Sequence, residues 1–152
     1  ILRQQPVASD LRQVSTALKV VTDLERIGDH ASDIAELILR IKSEHAYHIV
    51  KHLPVMAASA NAMVHDAIEA FIDQDLDAAM EIIERDDEVD TLFNRVKDDV
   101  IHLLQSSPDQ ADQGIDLLMV AKYLERIGDH AVNVCEWTQF SKTGALKNVR
   151  IM

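Results

Sequence analysis

Several common protein classes are excluded by what this chain lacks. A single cysteine, Cys135, rules out an internal disulfide, and no stretch resembles a signal peptide or a roughly 20-residue apolar span. The expectation is therefore a cytosolic, cytoplasmic protein with no direct membrane insertion. Glycine (four), proline (three) and aromatic residues (4%) are scarce, whereas sheets need turn glycines and favour aromatic and β-branched side chains. Ala, Leu, Ile, Asp and Glu are abundant, so the composition points to an all-α fold. Basic residues are outnumbered, and the formal net charge of −11 argues against nucleic acid and anionic membrane, both of which need clustered Lys and Arg. It permits cation binding. There is no Gly-x-x-x-x-Gly-Lys phosphate loop, no Gly-x-Gly-x-x-Gly, no Cys-x-x-Cys, no Gly-x-Ser-x-Gly and no catalytic triad, so no enzymatic activity is expected.

What the chain does contain is a repeat. Leu24-Glu25-Arg26-Ile27-Gly28-Asp29-His30-Ala31 recurs without change as Leu124 to Ala131. The flanks follow: Leu18 matches Leu118, Ile34 matches Val134 and Glu36 matches Glu136, while Asn133 stands where the first copy has Asp33.

Apolar residues at helical spacing give four long segments, about Val7 to Ile41, Pro54 to Asp73, Asp77 to Ser106 and Asp109 to Phe140. Pro6 and Pro54 suit first turns, and Pro108 ends the third segment. Short connections make neighbours antiparallel, so segments two to four read as an up-down-up three-helix bundle. Its expected core includes Met56, Ala60, Met63, Ala67, Ile68 and Phe71 on one helix and Met80, Ile83, Val89, Phe93, Val96, Val100 and Leu104 on the next, with Met119 also core-like. By the duplication, the first segment matches the fourth and lacks two helices of its own. The division expected is 1–44, the remnant of a first unit, and 45–152, a second unit. The start at Ile1, without Met, suggests that something precedes it. Leu18, Val21, Leu24, Ile27 and Ile34 then need partners from preceding sequence, from another chain or from the second bundle, and a homo-oligomer, most simply a dimer, is expected.

Residues four apart stack on one helix face, so Glu25, Asp29 and Asp33 form a carboxylate ladder, and Glu125, Asp129 and Asn133 its counterpart. Asp86 and Asp90 supply an acidic pair at the same spacing on the preceding helix. If the third and fourth helices pack antiparallel, these converge into an all-oxygen environment for one or more hard cations. The plain alternative is a solvated acidic face paired with Arg26, Arg126, Arg85 or Arg95. Gly28 and Gly128 each cost about 1 kcal/mol mid-helix relative to Ala, which close packing or a cluster beside the backbone would explain. His30 and His130 point about 100° away from the ladders and read as packing or solvent residues. The Glu-x-x-His pairs of di-iron bundles are absent from the ladders. Cys135 reads as a small buried hydrophobe, and His65-Asp66 is too short a fragment to mark a hydrolase.

The duplicated octapeptide, with Asn133-Val134-Cys135-Glu136-Trp137 after its second copy and Gln5 to Arg12 before its first, closely resembles the repeats of the PhoU family. The likeness covers essentially the whole chain. It implies two three-helix bundles in tandem, the first incomplete here, and metal clusters held by acidic residues at i, i+4 spacing. Carried over by residue, the metal ligands would be Asp86, Asp90, Glu125, Asp129 and Asn133, and Glu25, Asp29 and Asp33. Iron is the first expectation, with Mn, Mg or Zn as alternatives. The resemblance further implies a negative regulator of phosphate-starvation signalling that couples a phosphate transporter ATPase subunit to a sensor histidine kinase. Two other readings stay open on the residues alone. One is a metal-dependent phosphohydrolase, and the other a purely structural helical protein with solvated acidic faces.

Overall fold

The computed structural model describes residues 4–144, with side chains from residue 7 onward. The start of the expected N-terminal stub, Ile1 to Arg3, and the end of the second expected unit after Gly144 lie outside the described residues. Five α-helices follow one another: α1 (Gln4–Arg40), α2 (Glu44–Ile49), α3 (Leu53–Asp73), α4 (Leu76–Ser106) and, after a 3-10 turn at Pro108–Gln110, α5 (Ala111–Thr143). The described residues contain no strand, and the all-α expectation holds. Local chemistry sets the ends. Gln74, in the left-handed region at φ 53°, closes α3 through its backbone N–H, and the Asp75 carboxylate then caps α4 by accepting from the Ala78 amide at 3.1 Å. Gly144, at φ 77°, closes α5.

Helix α2 was not expected from the periodicity, being too short to show one. Ser43 caps it, accepting from the Ala46 amide at 3.2 Å. The same serine donates to Gln110 Oε1 at 2.6 Å, while the Lys42 and Ser43 amides donate to Gln113 Oε1 at 3.0 and 2.7 Å. These bonds anchor the crossing from α1 to the bundle beside the start of α5.

Helices α3, α4 and α5 pack as the expected up-down-up bundle. Met56, Ala60, Met63 and Ala67 of α3 meet Ile82, Val89, Val96 and Val100 of α4 and Leu117, Ala121 and Leu124 of α5, all buried. Each large aliphatic side chain so enclosed contributes about 1.5–3 kcal/mol relative to exposure. Two expected core residues are corrected: Met80 and Met119 are 50% and 40% exposed. On α4 the buried line runs through Ala79, Ile82, Asp86, Val89, Val96, Val100 and Leu103, one position away from Met80, because that is the face turned to α3 and α5 together. The line contains an acid, Asp86, which breaks the apolar pattern that a periodicity reading follows.

Helix α5 is the centre of the molecule. It is flanked by α1, α3 and α4, and every residue from Ala131 to Glu136 is buried. Cys135 lies in this stretch, and burial first, then the Glu136 charge, pushes its thiol up to about 12, so it is an inert, un-ionised core residue. Helix α1 runs antiparallel along α5, as its partners show: the Arg12 guanidinium stands beside Gly144, Asp23 bonds His130, and Arg40 bonds Asp116 at 3.2 Å. Thr16, Val20, Asp23 and Leu37 are buried by this contact, with Leu24, Ile27 and Ile34 packed beside them. Packing on the second bundle is thus how α1 meets its need for partners, on one face only. Leu18 and Val21 are instead 65% and 51% exposed, and with Val7, Leu11 and Val14 they form an apolar stripe directed away from α5.

The two copies of the octapeptide meet across the α1–α5 contact with approximate two-fold symmetry. His130 Nδ1 lies 2.9 Å from Asp23 Oδ1, and the exchanged pair, His30 with Tyr123, has ring centroids 5.5 Å apart. His30 and His130 stack on each other at 5.6 Å. Each histidine therefore faces the opposite repeat, while the glycines and the first two acids of each ladder are turned away from it.

Candidate metal centre

Antiparallel packing of α4 on α5 brings the acids of the two helices together. Asp86 is 5% exposed, and its Oδ1 lies 3.4 Å from the point where a Cβ on Gly128 would stand. The missing side chain of Gly128 therefore leaves a bare stretch of α5, between Glu125 and Asp129, against which a carboxylate from α4 is set. One turn further along α4 is Asp90. Partial desolvation, then the negative charges of Asp86, Glu125, Asp129 and Asp87, push its carboxyl up from 3.8 to about 6. Much of Asp90 remains open to solvent, which screens part of this repulsion. Glu125, half-buried, accepts from Lys122 Nζ at 2.6 Å.

Asn133, the last member of the second ladder, turns its amide towards α1. Its Nδ2 donates to Asp23 Oδ1 at 3.3 Å, while its own Oδ1 is buried with no hydrogen-bond partner. A neutral oxygen one turn beyond Asp129 is thus left without a donor. The donor set of α4 and α5 consists of carboxylates and one amide oxygen, with His130 already engaged by Asp23. That chemistry fits a hard cation.

The first ladder is placed differently. Glu25 and Asp29 are exposed, Asp33 is half-buried with one oxygen 4.0 Å from His30 Nδ1, and a Cβ on Gly28 would meet nothing within 4 Å. The described residues bring no second acidic helix against Glu25, Asp29 and Asp33. On α3, His65, Asp66 and Glu69 hold three ligand atoms within 4.8 Å of one another, but His65 and Glu69 are exposed and Asp66 is held by Arg85 at 2.7 Å. Among the described residues, no three of the acids of α4 and α5 bring ligand atoms this close together.

Sequence reasoning passed over Asp23 and Lys122. Asp23, buried, joins His130 and Asn133, yet its repeat position is taken by Tyr123 and its partners lie more than a hundred residues away in sequence. Lys122 had a visible signal, its i, i+3 spacing to Glu125. Its repeat position is Thr22, so the duplication did not bring it out.

The family model named PhoU domain matches residues 1–38 and 53–138. The chain belongs to the PhoU family. Among curated proteins, it is 43% identical over 145 residues to the phosphate-specific transport system accessory protein PhoU homolog of Clostridium acetobutylicum, covering 95% of this chain and 66% of that protein. It is 34% identical over 151 residues to PhoU homolog 1 of Thermotoga maritima, covering 99% of this chain and 64% of that one. The chain thus spans about two thirds of the length of these relatives. Among solved structures, PhoU from Pseudomonas aeruginosa superposes with a TM-score of 0.81 at 32% identity, covering 93% of this chain and 68% of that one. The phosphate transport system regulatory protein PhoU from Streptococcus pneumoniae gives a TM-score of 0.80 at 29% identity, covering 93% and 67%. No helix among the described residues is long and apolar enough to cross a membrane.

Proposed function

We propose that this PhoU-family chain is a cytoplasmic regulatory adaptor of phosphate uptake. In this reading it is a negative regulator of phosphate-starvation signalling, without turnover of its own, whose partners are a phosphate transporter ATPase subunit and a sensor histidine kinase. The names of its relatives support a place in phosphate transport. The observation that carries the site is the placing of Asp86 against Gly128, which sets the acids of α4 beside those of α5.

Asp86, Asp90, Glu125 and Asp129, with Asn133, would hold the cation, iron first and Mn, Mg or Zn as alternatives. A bound cation would supply positive charge that neutralises the acids and ties the two helices. The chain's own residues do the positioning: Asp86 and Val89 of α4 lie together against α5 at Gly128, 3.4 and 3.6 Å from where its Cβ would stand, and Val89 and Ile127 are buried. An outer face held at one angle is then a docking surface. A further site at Glu25, Asp29 and Asp33 would need an opposing acidic wall from beyond residues 4–144 or from a partner chain. The apolar stripe of α1 is the surface on which a homodimer would form.

The test is elemental analysis of protein purified without chelator or affinity metal, together with capture of the transporter ATPase, for wild type and Glu125→Ala/Asp129→Ala. The expected result is a bound cation, iron or one of its alternatives, that the variant loses, with weakened capture. Unchanged metal content and unchanged capture would sink the mechanism, and hydrolysis of phosphate esters with Mn or Mg would favour an enzyme instead.

A further inference from the structure

We infer that Lys122 is a built-in cation of the α4–α5 acid site, which holds Glu125 in the metal-free protein and competes with an incoming metal ion for it. The inference rests on the metal-binding reading above and deepens it, because it names the residue that sets how readily the site fills.

Lys122 is fixed from two helices. Its ammonium lies 2.6 Å from Glu125 Oε1 on α5 and 5.3 Å from the centroid of the Phe93 ring on α4. Phe93 follows Asp90 by three residues, so it stands one turn along the same helix from the acids it borders. A lysine resting on an aromatic face and bonded to a carboxylate keeps its charge in one place, at the edge of the cluster. Two arginines of the same helices have partners of their own: the Arg126 guanidinium lies 5.8 Å from the Tyr123 ring centroid, and Arg85 is bonded to Asp66.

The consequence is competition. The ammonium at 2.6 Å occupies one of the two Glu125 oxygens and sets a positive charge beside the other, so an entering metal ion meets a weaker acceptor and a like charge for as long as the lysine stays. Lys122 is partly exposed, so its departure into water is cheap enough to be reversible. The first repeat has no such device. Thr22 stands at the equivalent position, and its hydroxyl donates to its own helix at Leu18 O, 3.0 Å away.

The experiment is calorimetric titration of Mn(II) into the full chain stripped of cations, with thermal melts before and after saturation. Wild type is compared with Lys122→Met, which keeps the stem on Phe93, and with Lys51→Met, which removes the same charge from an exposed loop. Lys122→Met should bind Mn(II) about threefold to tenfold tighter, the range expected for releasing a partly exposed ion pair. It should also melt lower than wild type when cation-free, and lose that deficit on saturation. Lys51→Met should match wild type. Equal or weaker binding by Lys122→Met, while wild type binds, overturns this inference alone. So does an equal gain in Lys51→Met, which would reduce the effect to net charge. Binding by none of the proteins overturns the metal reading as well.

Discussion

Gly28 and Gly128 occupy the same place in two identical octapeptides, yet one faces open space and the other a buried carboxylate and a valine. The difference continues along both helices. Ala31 is exposed where Ala131 is fully buried, and Val21 is half open where Ala121 is enclosed. Glu25 and Asp29 point to solvent, whereas Glu125 and Asp129 belong to a cluster that perturbs Asp90. Both copies spend one face on each other, and only the second has α3 and α4 against its opposite face. Identical residues thus acquire acidic neighbours or a bare surface according to what packs on them.

The sharpest way to break this comparison is one substitution made twice. Ala131→Leu forces three extra heavy atoms into a closed core and should destabilise by about 1–3 kcal/mol, while Ala31→Leu should stay within about 0.5 kcal/mol. Urea unfolding of both variants measures it, and equal losses would mean that the face of α1 is covered in solution.

A smaller contrast separates the glycines. Gly28→Ala adds helix propensity at no steric cost and should stabilise by about 0.5–1 kcal/mol. Gly128→Ala should gain less, since the new methyl, though at ordinary contact distance, sets an apolar group 3.4 Å from the buried Asp86 Oδ1. Thermal melts of the two variants side by side provide the check.

The smallest effect is electrostatic. Asp90 in the folded, cation-free protein is raised from 3.8 to about 6, so its protonated form is favoured by folding. Its contribution to stability is present below pH 4 and is lost as the pH rises through about 6. Asp90→Asn should therefore gain on wild type across pH 4 to 6 in chelator, and solvent screening keeps the gain modest. A constant difference between the two denaturation curves over that window would show that the acids are not coupled.

Much of the fold was legible in the residues. The segments for α1, α3, α4 and α5 follow from apolar spacing and proline positions, because long helices leave a long periodic record. Helix α2 left none, since six residues hold fewer than two turns. The acidic set of α4 and α5 could be read from i, i+4 spacing and the repeat. The Asp23–His130–Asn133 network could not, because its members are far apart in sequence and Asp23 has no counterpart in the second copy.

By itself, then, the sequence determined the helical class, the duplication and the two ladders, all of which depend on residues within a few turns of one another. Only the tertiary structure decided that α1 lies along α5, that both histidines face the opposite repeat, and that one ladder of the two meets a second acidic helix. Local spacing says which side chains share a face; it does not say which face is covered, because burial is set by contacts between elements that the chain brings together from a distance.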